Sequence, residues 1–412
     1  MSFCYQQNGI CYYPLGGRLP DGAEPAAGPF SPLVFLVERD PLATRGIYAA
    51  HTPAEVLEPE GPSLLLPAAE GALDAAADAI LRRDGACVLN TAFTRCFQVL
   101  DRFLHPKTDG LRLTLAGLGD VGGTVLTGLT LLGSCIAEIG IYDFYEPLCR
   151  RYALELNQVL PTEDGRRMPD IVIRSPDTLF DCDVFLFTAT KGVPPVGSGV
   201  QDVRMAQYSA NRDLLRAYAA QARRAHFSGL FCQISDPVDH LARAVFLDSQ
   251  RNEAGQMDFS GLLPEQVQGY GLGVMEARAR YYAGRRAIDF RTGAVFGPHG
   301  QDLIVANAPG ERYDDALSRS LTADTVTANL AVRELGFKPY IAPGLSSAAI
   351  SILRTITGQW HCGAVPMDGA YFGCRSRMTR FGPELFRQPL HPALFERIRR
   401  AHQKLKEFQY DG

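Results

Sequence analysis

From Leu111 onward, short apolar strands alternate with helical stretches. Strands are expected at 112–117 (RLTLAG), 137–143 (AEIGIYD), 170–175 (DIVIRS), 183–189 (DVFLFTA) and 229–235 (GLFCQIS), with helices near 121–133, 146–160, 203–225 and 237–247. Near-continuous apolar runs joined by long crossovers are the mark of parallel strands covered on both faces. The expected fold is therefore α/β, a doubly wound parallel sheet with right-handed crossovers.

This segment divides the chain into three. Residues 1–110 read as a small α/β extension of unknown role: a Pro- and Gly-rich irregular stretch at 13–32, apolar runs at 33–38, 63–67 and 86–90, an Ala-rich helix from about 70 to 83, and a helical run ending near Leu104. Residues 111–250 form the parallel-sheet domain. Residues 251–412 read as an α+β domain, with a hairpin-like pair around Ala294 and Leu303, strands from Cys362 to Phe372, and a final helix from about 392 to 408.

Composition narrows the partners. With 46 % hydrophobic and 21 % charged residues and a formal net charge of −4, the chain reads as globular, with no electrostatic reason to bind nucleic acid or an anionic membrane. The basic residues near the C-terminus alternate with Glu384, Glu396 and Glu407, as on a solvated helix face. No apolar run reaches the length of a membrane span, and the first residues lack the pattern of a secretory signal. The ten cysteines show no metal-ligand spacing, so reduced thiols, no metal and a cytoplasmic location are expected.

The stretch LTLAGLGDVGG places Gly117-x-Gly119-x-x-Gly122 between the first strand of the sheet and the helix that follows. Such a loop turns tightly at its first glycine, admits a pyrophosphate at its second and packs helix on strand at its third. Asp120 and Val121 then open a helix whose free N–H groups favour phosphate. Asp143 ends the second strand, 21 residues after Gly122, where a carboxylate can accept from ribose hydroxyls and would repel a ribose phosphate. NAD is the expected cofactor. His299, in AVFGPHGQDLI, reads on its own either as a polar residue at a turn or as an imidazole aimed at a substrate.

Three further stretches, ISDPVDHLARAVF at 234–246, GYGLGVMEARARYYAG at 269–284 and the GPHG turn, together with the glycine loop, resemble the lactate/malate dehydrogenase family over roughly 111–408. The resemblance implies His299 as proton donor and acceptor and Arg278 as the substrate-carboxylate clamp. It also implies Arg204, seven residues before Asn211, as the mobile-loop arginine that polarises the carbonyl. It adds Thr188, Ala189 and Asn211 to the cofactor-binding set. The implied reaction interconverts a 2-oxo acid and a 2-hydroxy acid by hydride transfer, in a homodimer or homotetramer.

The chain departs from that pattern at chemically important places. Met275 stands where the family has the aspartate that orients the histidine, and Glu276 beside it points about 100° away on the helix. Asp236 replaces the family's asparagine, either as a relocated partner for His299 or as a charge that repels an anionic substrate. The first loop arginine is Ser198, with Lys191 earlier in the loop, and Pro339 stands near a specificity position. Simple oxaloacetate is therefore not the expected substrate. The alternative function is a cofactor-binding relative with lost or altered chemistry, acting as a sensor or assembly protein.

Overall fold

The computed structural model describes residues 4–161, 165, 168–191 and 203–410, and the side chains of all of these but 203–206. The extension contains strands β1 (Cys4–Gln7), β2 (Ile10–Pro14), β3 (Glu24–Ala26), β4 (Leu33–Val37), β5 (Ile47–Ala50) and β6 (Ala86–Asn90), with helices α1 (Pro53–Leu57), α2 (Ala75–Asp84) and α3 (Cys96–Leu104). Its six-stranded sheet runs β3-β1-β2-β4-β6-β5, with β2, β4 and β6 parallel. The Pro- and Gly-rich lead-in is thus more ordered than expected, since β2 enters it and β3 lies inside it. Pairing with buried β4 holds β2, whose Ile10, Cys11 and Tyr12 are themselves buried. The apolar run at 63–67 is not a strand: Gly61, at φ 129°, and Pro62 start a 3₁₀ turn at Pro62–Leu65. The Ala-rich helix begins at Ala75, later than expected, because the Asp74 side chain caps it.

The remaining strands build a nine-stranded sheet and a hairpin. They are β7 (Leu111–Ala116), β8 (Ile136–Tyr142), β9 (Asp170–Ile173), β10 (Val184–Phe187), β11 (Leu230–Gln233), β12 (Val267–Gly269), the hairpin β13 (Ala294–Phe296) and β14 (Ile304–Ala306), then β15 (His361–Met367), β16 (Ala370–Thr379) and β17 (Gly382–Leu385). Helices α4 (Asp120–Leu132), α5 (Glu146–Leu156), α6 (Val203–Arg224), α7 (Val238–Ser249), α8 (Leu272–Arg285), α9 (Asp315–Glu334), α10 (Ile350–Ile356, after a π turn at Pro343–Ala349) and α11 (Pro392–Lys406) surround them.

The order β9-β8-β7-β10-β11-β12 is parallel throughout and has the 3-2-1-4-5-6 connectivity of a Rossmann sheet. The antiparallel strands β15, β16 and β17 extend it past β12. Both faces of the parallel part are covered. Leu113, Leu115, Ile139 and Leu186 pack with Val125, Leu129 and Ile352 on one side. Phe185, Phe187 and Phe231 pack with Leu215, Leu241 and Val245 on the other, in a core that continues into the extension through Val34, Leu36 and Phe93. No described helix is long and apolar enough to cross a membrane. All ten cysteines are free thiols.

Candidate active site

The glycine loop lies at the carboxyl end of β7, where open α/β sheets bind their ligands. Gly117 has φ +100°, and a Cβ there would stand 2.5 Å from the Ala189 amide nitrogen. A Cβ on Gly122 would stand 2.0 Å from the Gly117 carbonyl oxygen, so helix α4 meets the strand only through a glycine. Around Gly119, the N-cap of α4, a Cβ would meet nothing within 4 Å. Two glycines are thus forced by packing, and the third leaves open space above a helix N-terminus, which suits a pyrophosphate.

Side chains fix this loop from three directions. Asp143 Oδ2 accepts from the Leu118 N–H at 2.8 Å, and its Oδ1 from the Tyr145 N–H at 2.9 Å. Thr188 Oγ1 donates to the Gly117 carbonyl at 2.6 Å. Lys338, from the segment after α9, pairs with Asp120 at 2.9 Å, while Val121 is half-buried. Asn211 is fully buried: its Oδ1 accepts from the Lys191 N–H (2.8 Å) and Thr190 Oγ1 (3.2 Å), and its Nδ2 donates to the Asp236 carbonyl (2.8 Å). Its amide therefore braces residues 190–191, beyond the end of β10, against residue 236. Ser198 and the side chain of Arg204 lie outside the described residues.

His299 follows the Gly297-Pro298 turn after β13. Its Nε2 lies 3.9 Å from Asp236 Oδ1, with the imidazole 11 % and the carboxylate 39 % exposed. That is ion-pair range, beyond a direct hydrogen bond. Asp236 precedes α7 across a cis peptide to Pro237. One turn on, the buried Asp239 accepts from the His299 backbone N–H at 2.9 Å through its Oδ2. Gly271, the N-cap of α8, forms the wall beside the ring, since a Cβ there would lie 2.6 Å from His299 Cγ. Ser347 anchors that wall by donating to the Gly271 carbonyl at 2.6 Å and accepting from the Val274 N–H at 2.9 Å.

Met275 is fully buried among Leu272, Val274, Phe290, Val295 and Leu303. The half-buried Arg278, one turn further along α8, places Nη1 3.8 Å from Met275 Sδ. Glu276 turns instead toward Arg280, at 2.6 Å. Burial works against its ionisation, but the hydrogen bond and charge of Arg280 outweigh that and hold its carboxyl below the ordinary range. Of the two carboxylates considered as partners for the histidine, Asp236 is the one brought to it. His361 is a core histidine: it is buried, 3.1 Å from Thr355 Oγ1, and pushed down to about 4 by burial. Among the described residues no cluster of His, Cys, Asp and Glu could hold a metal.

The reading of the sequence passed over Asp239 and Gly271, although both lie in stretches it singled out. Asp239 lies on the first turn of the helix that Asp236 precedes, and Gly271 immediately precedes the helix that carries Met275. Their closeness to His299 arises only when α7, α8 and the hairpin meet.

No family model matches the chain. A malate dehydrogenase of Sulfurimonas denitrificans is 25 % identical over 282 residues, covering 64 % of this chain and 81 % of that one. The fold is shared with a lactate dehydrogenase from a Medee basin deep-sea metagenome (17 % identity, TM-score 0.58, 73 % of this chain and 98 % of that one). It is shared also with the malate dehydrogenase of Archaeoglobus fulgidus in complex with NADH (18 %, 0.59, 72 % and 98 %). In sequence the chain is thus similar to a malate dehydrogenase, and in fold to lactate and malate dehydrogenases.

Proposed function

We propose that the protein is an NAD-dependent oxidoreductase acting at the second carbon of a small carboxylate, within the 2-oxo/2-hydroxy acid chemistry of its family. The observation that carries this reading is the placement of His299: an imidazole held against Gly271, at the carboxyl end of a Rossmann sheet, with Nε2 facing Asp236. NAD fits the residues present. Gly117, Gly119 and Gly122 with the N-terminus of α4 would take the pyrophosphate, and Asp143 the adenosine ribose. When bound, the nicotinamide supplies or accepts hydride.

The chain's own part is to bind, orient and move one proton. Arg278 pairs with the substrate carboxylate through its planar guanidinium. His299 holds or releases a proton at Nε2. Arg204 is the group that the family resemblance assigns to polarising the carbonyl. Asp239 and Gly271 are positioning residues, one gripping the histidine backbone and the other limiting where the ring can stand.

The test is NADH oxidation at high enzyme concentration with 2-oxo acids of graded size and charge, alongside His299→Asn. Turnover abolished by the substitution is the expected outcome. NADH binding with no turnover of any substrate would refute the reading. One observation favours a second reading, of a cofactor-binding relative without dehydrogenase chemistry: position 275, where the resemblance implies the orienting aspartate, is a buried methionine.

A further inference from the structure

We propose that Lys338 is a phosphate ligand of the cofactor: its ammonium, paired with Asp120, also donates to the pyrophosphate when the dinucleotide binds on the glycine loop. The inference rests on the NAD reading above and adds to that site a residue from outside the parallel-sheet domain.

The charge balance of the loop calls for a cation. A pyrophosphate brings two negative charges to the N-terminus of α4, where the helix dipole supplies the equivalent of roughly half a positive charge. Asp120, the first residue of that helix, adds a further negative charge beside the Gly119 cap. A carboxylate suits an empty helix end but opposes the ligand that this loop is shaped to take. Among the described residues, the cation that ion-pairs with the loop is Lys338, whose Nζ stands 2.9 Å from Asp120 Oδ2.

The geometry lets one ammonium serve both anions. It has three N–H donors and gives one to Asp120. The lysine side chain is 82 % exposed and that of Asp120 47 %, so a ligand can reach the pair. The backbone behind the lysine is nevertheless held. Lys338 precedes the π turn at Pro343–Ala349, where a Cβ on Gly344 would stand 2.7 Å from Thr124 Cγ2, and where Ala348 and Ala349 pack with Val125 and Leu129 of α4. The segment that carries the ammonium is thus docked on the helix whose N-terminus would take the phosphates.

The test is NADH affinity by fluorescence titration, with ADP and adenosine as competitors, for the native chain, Lys338→Gln, Asp120→Asn and the double variant. Lys338→Gln should weaken NADH and ADP by about tenfold, the worth of one hydrogen bond to a charged group, and leave adenosine, which has no phosphate, unchanged. Added salt should narrow the gap between the native chain and Lys338→Gln. Asp120→Asn should bind NADH roughly threefold more tightly, because a repelling charge is gone and the ammonium is left to the phosphates. The double variant should bind more weakly than Asp120→Asn, since the phosphate contact is missing. An exposed ion pair contributes little to folding, so all four proteins should melt together. A pair that only latches the segment to α4 gives equal losses in both single variants, adenosine included. That result overturns the inference, as does unchanged NADH affinity in Lys338→Gln, and either leaves the dehydrogenase reading standing. Failure of the native chain to bind NADH overturns both.

Discussion

Glu265 ties the extension to the rest of the molecule, and its titration gives a stability prediction that depends on no substrate. It lies in the 3₁₀ turn at Pro264–Gln266, just before β12, and is 1 % exposed. Its Oε1 accepts from the Gly46 N–H at 3.0 Å and its Oε2 from the Ile47 N–H at 3.1 Å. Burial is the largest influence and raises its carboxyl to about 8, against the lowering effect of these N–H groups and of Arg45. Because the folded value lies above the unfolded one, the folded state binds more protons. Stability is therefore fully present below the unfolded value, falls as pH rises, and is lost through the folded value. One proton corresponds to about 1.4 kcal/mol per pH unit, and with the release half complete at pH 8, about 2 kcal/mol should disappear between pH 6 and 8. Glu265→Gln keeps the shape and removes the proton. It should start less stable at pH 6, by about 1–3 kcal/mol, because its NH₂ faces N–H donors. Urea unfolding at intervals from pH 6 to 9 is the assay. His51, raised by its hydrogen bond to Glu384, titrates in the same direction but is common to both proteins and cancels in their difference. Parallel stability curves for the two proteins would refute the argument.

Two glycine substitutions separate binding from chemistry. In Gly271→Ala the new Cβ, 2.6 Å from His299 Cγ, must push the ring by roughly 1 Å, a displacement that costs on the order of 10²-fold in turnover; kcat should fall with NADH affinity unchanged, and near-native kcat would show that the wall does not position the ring. In Gly122→Ala the Cβ meets the Gly117 carbonyl at 2.0 Å and forces the loop open, so NADH affinity by fluorescence titration should fall at least tenfold with loss of folding stability. Gly119→Ala, with nothing within 4 Å, should lose NADH affinity while melting like the native chain, and equal melting losses in both loop variants would count against the assigned roles.

The parallel sheet was legible because burial on both faces leaves a plain trace: runs such as LTLA, VFLF and LFCQ, with a glycine loop after the first. The extension was less so. Strands β1, β2 and β5 are short and rich in Cys, Tyr, Gln and Ala, and their buried state is set by partners far along the chain, as in β5 against β6. The run SLLLP had the composition of a strand, but the backbone turn at Gly61 decided its form. In the candidate site, His299, Asp236 and Met275 could be singled out from local motifs, whereas Asp239 could not. Its contact is to a backbone N–H 60 residues away, which no spacing rule encodes.

The two departures at 275 and 236 are better understood together than apart. Met275 packs with Phe290, Val295 and Leu303, and the Arg278 guanidinium lies 3.8 Å from its Sδ, so an aspartate there would have that cation beside it. The carboxylate that faces the imidazole is instead that of Asp236, 3.9 Å from Nε2. Relative to the pattern its family resemblance implies, the carboxylate beside the imidazole comes from position 236, before α7, and not from position 275 on α8.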